Sequence, residues 1–199
     1  MKYSDYFVDS LVELGYTHCF FISGGNILHL LESARTRLEC IPVVHEVSAA
    51  IAAEYFNVAN RDTGKRAFAM VTAGPGLTNA VTGMAGAWLE SRELLVVGGQ
   101  ARTDALSRGT VRQVGHQEID GAAIVTPITK VSRRIGAPIS FEEIRDLVQE
   151  SKVPRKGPVF LELCLDVSVM YVELPTHDKV NASSKSDSNS PDTGGEEFW

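Results

Sequence analysis

The chain has 199 residues, 44% of them hydrophobic and 22% charged, with 25 acidic against 19 basic residues and a net charge of −6. That length holds one domain, or one domain and a tail, with enough apolar residues for a sizeable core. The acidic balance excludes a general nucleic-acid binder or a polybasic membrane protein, both of which need a positive field, and no apolar run approaches the ~18 residues of a membrane span.

The opening Met1-Lys2-Tyr3-Ser4-Asp5 turns polar and acidic, unlike a secretory leader. Ser4 is placed to cap a helix running to about Leu14, with Gly15 as its stop. Cys19 to Ile22 reads as a buried strand. Gly24-Gly25 turns the chain into a helix from Ile27 to about Arg35. Ile41–Val44 is a second strand, Glu46–Ala59 an alanine-rich helix and Ala67–Val71 a third strand. Gly74-Pro75-Gly76 opens a helix to about Leu89, with proline in the first turn, where no N–H is needed. Then come a strand at Leu94–Val97, a short helix at Ile119–Val125 and an edge strand at Lys130–Arg134. A helix capped by Ser140 runs to about Glu150, and Val159–Leu165 is the last strand.

Several strands are continuous apolar runs, the mark of parallel strands covered on both faces. Their alternation with helices predicts an α/β fold, a doubly wound, mainly parallel sheet with helices on both faces. Ligands of such sheets bind at the C-terminal strand ends, here the loops Ser23–Asn26, His45–Glu46, Thr72–Pro75 and Gly98–Arg102. The folded domain is expected at 1–175. Residues 176–199 carry five acids against two bases, and 181–195 hold five serines and a single apolar alanine. This composition predicts an acidic, Ser-rich disordered tail, whose terminal Glu196-Glu197-Phe198-Trp199 is a candidate docking motif.

The three cysteines, Cys19, Cys40 and Cys164, lack metal-type spacing, and the two in strand-like runs read as buried thiols of a cytoplasmic protein. No His/Cys cluster predicts a metal site. Gly74-Pro75-Gly76 resembles a phosphate cradle but lacks the Gly-Lys-Ser/Thr ending of a P-loop, and Gly24-Gly25 lacks the third glycine of a dinucleotide fingerprint. His45-Glu46 stands where a strand meets a helix, so Glu46 either complements the helix dipole or aims a carboxylate into a cleft. Small residues line two helices, Ala49 to Ala53 and Ala80 to Ala87, which predicts tight packing or a subunit interface. Arg102, Arg108 and Arg112 fall in one polar loop near a strand end, solvated or placed to attract an anion.

Taken in order, Ile22-Ser23-Gly24-Gly25, Val44-His45-Glu46, Val71 to Asn79, Val96 to Gln100, Arg112 to Asp120 and Pro127 to Lys130 resemble one family. It is the pyrimidine-binding, N-terminal domain of thiamine-diphosphate enzymes of the acetolactate-synthase group, with the likeness covering about residues 1–170. The resemblance implies a flavodoxin-like fold and assigns Glu46 to N1′ of the cofactor's aminopyrimidine, where it tunes a base that belongs to the cofactor. It further implies that Gly24, Gly25, Thr72, Pro75 and Asn79 line the pyrimidine pocket, and that Gln117 reaches toward the substrate. Ser23 stands where the family commonly has proline.

Family members continue into a diphosphate-binding domain whose Gly-Asp-Gly and later Asn hold the metal ion; no Gly-Asp-Gly occurs in these 199 residues. The resemblance therefore implies one subunit of a split enzyme, a hetero-oligomer such as a heterotetramer, with Mg²⁺ supplied through the partner chain and no flavin. The implied reaction is decarboxylation of a 2-keto acid, with ligation of the carbanion to a second carbonyl compound. Alternatives are the alpha subunit of a sulfopyruvate- or phosphonopyruvate-type decarboxylase and a non-catalytic regulatory module. A free-standing nucleotide binder lacks its phosphate loop.

Overall fold

The computed structural model describes residues 1–173. The predicted tail at 176–199, with its docking motif, lies outside the described residues. Six strands, β1 (Tyr16–Phe21), β2 (Glu39–Pro42), β3 (Arg66–Val71), β4 (Leu94–Gln100), β5 (Val131–Ile135) and β6 (Pro158–Cys164), form one sheet in the order β2-β1-β3-β4-β6-β5. Every pairing is parallel. After β1 the chain steps outward to β2; after β3 it steps the other way, to β4. The direction reverses between β1 and β3, which makes their C-terminal ends the switch point of the sheet.

Seven helices, α1 (Tyr3–Glu13), α2 (Leu28–Arg35), α3 (Glu46–Ala59), α4 (Pro75–Leu89), α5 (Gly121–Val125), α6 (Phe141–Gln149) and α7 (Leu165–Val169), cover both faces among the described residues. The period-2 alternation of the central strands sorts residues by size. Phe68 and Met70 of β3, Leu95 and Val97 of β4, and Leu161 and Leu163 of β6 meet α1, α2, α6 and α7 in one core cluster. The alternate positions Ala67, Ala69 and Val71 meet α3 and α4 in a second. Small side chains there let α3 and α4 lie close to the sheet and to each other. A Cβ added at Gly83 would fall 2.5 Å from Ala50 Cβ.

Helix α3 has its predicted limits, because His45 is extended and its Nδ1 accepts the Val47 N–H at 3.3 Å. Helix α4 also has its predicted limits, with Pro75 at its first position. Ser140 caps α6 through the Glu143 N–H, as its spacing predicts. Several expectations need correction. The first helix begins two residues early, with extended Lys2 as its cap, so Ser4 turns inward, where its Oγ lies 3.0 Å from Ser33 Oγ. β2 ends at Pro42, leaving Val44 outside the sheet and 97% exposed. Asp120, not the segment from Ile119, caps α5, through the Ala123 N–H. The last strand stops at Cys164, and Leu165 starts the short α7. The three cysteines are free, with Cys19 and Cys164 buried as expected and Cys40 half-buried.

Candidate functional site

Four loops converge where β1 and β3 end. Helix α3 starts with Glu46, whose position is fixed by the His45 cap, and the residue is buried to all but 9%. Asn79, on the second turn of α4, donates its Nδ2 to Glu46 Oε2 at 2.9 Å. Glu46 Oε1 makes no hydrogen bond among the described residues and lies beside Gly76, 3.5 Å from where a Cβ would stand. Any side chain at Gly76 would also meet Thr72 Cγ2 at 2.8 Å. A Cβ at Gly24 would sit 2.3 Å from Thr72 Cβ and 2.5 Å from its Oγ1. Thr72 is thus held between two glycines, and its buried Oγ1 has no hydrogen-bond partner. Leaving such a hydroxyl unpaired costs ~1–3 kcal/mol, a cost that a ligand donor or acceptor removes.

Gly74 turns the chain between β3 and α4 at φ +63°, ψ −120°, a conformation open to glycine. Its bare Cα lets the Gln117 backbone lie against it: a Cβ would meet Gln117 O at 2.7 Å. Gln117 itself has φ +57°, and its amide has no hydrogen-bond partner among the described residues. The neighbouring Glu118 holds this loop together. Its Oε1 accepts from Ser107 N (2.6 Å), and its Oε2 from Val114 N (2.8 Å) and Gly115 N (3.1 Å). Burial works to raise the Glu118 pKa, but these N–H donors outweigh it and hold it at about 2. Below the loop, fully buried Gln100 donates to Ile119 O at 2.8 Å and accepts from Ala101 N at 2.7 Å. Arg134 pairs with buried Glu162 (2.7 Å) and with Asp120 (2.9 Å), tying β5, β6 and the cap of α5 to the same edge.

The structure therefore brings Glu46, Asn79, Thr72, Gly24 and the Gln117 backbone to one place. Pro75 is exposed beside them at the start of α4. Gly25, next to Gly24, faces open space, with nothing within 4 Å of a Cβ. The small residues of α3 and α4 pack on each other, with Gly83 against Ala50. Arg102 pairs with Asp104 at 3.1 Å, while Arg108 and Arg112 are exposed on the same loop. Sequence reasoning assigned no role to Glu118 or Gln100, although a polar residue closing the apolar run Leu94–Val97 was a signal for Gln100. No group of His, Cys, Asp and Glu capable of holding a metal ion occurs among the described residues.

Residues 1–124 match the family described as thiamine pyrophosphate enzyme, N-terminal TPP binding domain. The chain belongs to this family. Within it, the chain is 32% identical over 166 residues to an acetolactate synthase large subunit of Buchnera aphidicola, covering 80% of this chain and 27% of that protein. It is 31% identical to a catabolic acetolactate synthase of Raoultella terrigena (82% and 28%). It is 34% identical to a 2-hydroxyacyl-CoA lyase 2 of Bos taurus (79% and 24%). The chain thus spans about a quarter of the length of the curated relatives it matches. Family membership gives the six-stranded parallel sheet its meaning: the edge that gathers Glu46, Asn79 and Thr72 belongs to a thiamine-diphosphate-binding domain. The residues present fit the pyrimidine end of that cofactor. They offer a carboxylate with one oxygen held and one open beside an unpaired buried hydroxyl.

Proposed function

We propose that this domain forms the pyrimidine side of a thiamine-diphosphate site in a carbon–carbon bond-breaking and bond-forming enzyme, and that a diphosphate-binding domain on a separate subunit completes it with Mg²⁺. When bound, thiamine diphosphate supplies a carbon nucleophile and an electron sink beside an aminopyrimidine base. The residues of this chain bind and tune it. Glu46 Oε1 is free to share a proton with the ring nitrogen N1′. Asn79 orients that carboxylate by occupying Oε2. Thr72, Gly24, Gly25 and Pro75 line the ring's pocket, and the unpartnered amide of Gln117 serves the substrate. The single observation that carries this reading is the Glu46–Asn79 pair, a buried carboxylate left with one open oxygen beside glycine.

A second chain is favoured by the apolar rim of the site. Val44 is 97% exposed just before Glu46, and Leu28 at the start of α2 and Val111 and Val114 on the loop after β4 are exposed as well. The proposed substrate is a 2-keto acid, decarboxylated and ligated to a second carbonyl compound. Cleavage of a 2-hydroxyacyl thioester is a second reading, favoured by the identity to the lyases. Reconstitution with a Gly-Asp-Gly subunit of the same organism, thiamine diphosphate and Mg²⁺ tests both, with pyruvate and a 2-hydroxyacyl-CoA in parallel. Activity is expected only in the mixture. Glu46→Gln should nearly abolish exchange of the cofactor's C2 proton, followed by NMR, without loss of assembly. Full turnover by this chain alone, or wild-type exchange in the variant, refutes the proposal.

A further inference from the structure

At the opposite end of the sheet, where the central strands begin, lies a second cleft of about 290 Å³. Asn57 and Arg61 come from the end of α3 and the turn after it, Arg66 starts β3, Arg92 and Glu93 lead into β4, and Lys156 leads into β6. Its wall is fixed. The Asn57 amide clamps Ala67, accepting from its N–H at 2.8 Å and donating to its carbonyl at 3.1 Å.

The charges do not balance. Glu93, 11% exposed, is shared by Arg66 Nε at 2.6 Å and Lys156 Nζ at 3.0 Å. Arg92 is taken by Glu54 at 2.9 Å and Glu90 at 3.5 Å, and rests on the Tyr55 ring. Arg61 has no ion-pair or hydrogen-bond partner among the described residues. Lys152 stands close by. Burial pushes its pKa down and the charges of Arg66 and Lys156 push it further, with Glu93 the opposing group. The side chains lining the cleft include four cations, Arg61, Arg66, Arg92 and Lys156, against one carboxylate, Glu93, on a chain of net charge −6.

We propose that this cleft binds a small phosphoryl dianion, either free phosphate or a phosphomonoester. Such a group carries ≈ −1.5 to −2 near neutral pH, which the unpaired Arg61 and the Lys156 ammonium are placed to meet. Guanidinium forks from separate elements suit its several acceptor oxygens. The volume, at the small end of ligand pockets, admits a phosphoryl group and a short organic part. The site lies at the edge away from Glu46 and Gln117 and does not depend on the reading of that edge.

Calorimetry and melting curves on the full chain test it, with inorganic phosphate, glycerol phosphate, succinate and chloride at matched ionic strength. Saturable one-site binding is expected for the two phosphoryl probes, and the tighter of them tells the free ion from the ester. Arg61→Ala should weaken that binding about tenfold, the worth of one charge-assisted hydrogen bond. Its melting temperature without ligand should stay unchanged, since Arg61 makes no described contact to lose. Lys156→Ala should weaken binding similarly. Phosphate binding no better than chloride, or untouched by Arg61→Ala, overturns the site; succinate binding as tightly as phosphate overturns its phosphoryl class.

Discussion

Gly24 and Gly25 are neighbours, yet the same substitution should act on them in opposite ways. Alanine at Gly24 puts a methyl carbon 2.3 Å from Thr72 Cβ, 2.5 Å from Oγ1 and 2.7 Å from Cγ2. Carbon–carbon contact wants ~3.5 Å or more, so the two loops must part by about 1.2 Å. Turning Thr72 about χ1 gives no relief, because Cβ itself is in the way. Overpacking of this kind costs ~1–3 kcal/mol. For a domain of this size that lowers the melting temperature by roughly 2–4 °C per kcal/mol. Gly25 faces open space and lies outside the left-handed region. Alanine there should leave stability unchanged or raise it by ~0.4–1 kcal/mol through the unfolded chain. If the cofactor lies on Gly25, that variant still loses cofactor affinity in the reconstituted complex, with the fold intact. Paired melting curves and cofactor titrations read both effects. A Gly24→Ala protein that melts with the wild type would refute the close approach, and Gly25→Ala with wild-type cofactor affinity would remove Gly25 from the pocket.

Asn79→Ala removes the donor to Glu46 Oε2. It should cost ~1 kcal/mol of stability while cutting turnover of the complex far more than cofactor affinity, measured by steady-state kinetics against a binding titration. The Glu118 pKa of about 2 lies below its ordinary 4.5. Its stabilising contribution is therefore complete above pH ~4.5 and is lost as pH falls toward 2. The protection of the Val114 and Gly115 amides against exchange, relative to a free peptide, should persist as pH falls and drop only as it approaches 2. Glu118→Gln should expose both amides at neutral pH, and unchanged protection there would show that another group holds the loop.

How much of this was legible in the sequence varies with the kind of signal. Helices α3 and α4 were found at their limits because their starts carry local chemistry, an extended His45 and a first-turn Pro75. Strand β4 was read only to Val97, because Gly98 and Gly99 look like a turn. They are strand residues, bare because the Phe160 ring and the Asn26 backbone lie where their side chains would be. That reason is tertiary and leaves no local trace. Glu46, Asn79 and Thr72 were placed by resemblance, but their meeting depends on α3 and α4 lying side by side. Glu118 was invisible as an anchor, since its three donors lie at residues 107, 114 and 115, in a loop with no periodic pattern.

The contact of Gly83 with Ala50 has a mechanical consequence. With almost no side-chain volume between them, α3 and α4 have no slack in which to slide, and the Glu46–Asn79 bond spans the same pair of helices near their N-terminal ends. The two helices move as one strut. A force applied to the outer surface at Ile51, Tyr55 or Leu89, all exposed, reaches the carboxylate as a displacement of the whole strut and is not absorbed between its members. A bulkier residue at Gly83 would act like a shim, prising the carboxylate from its amide without touching either.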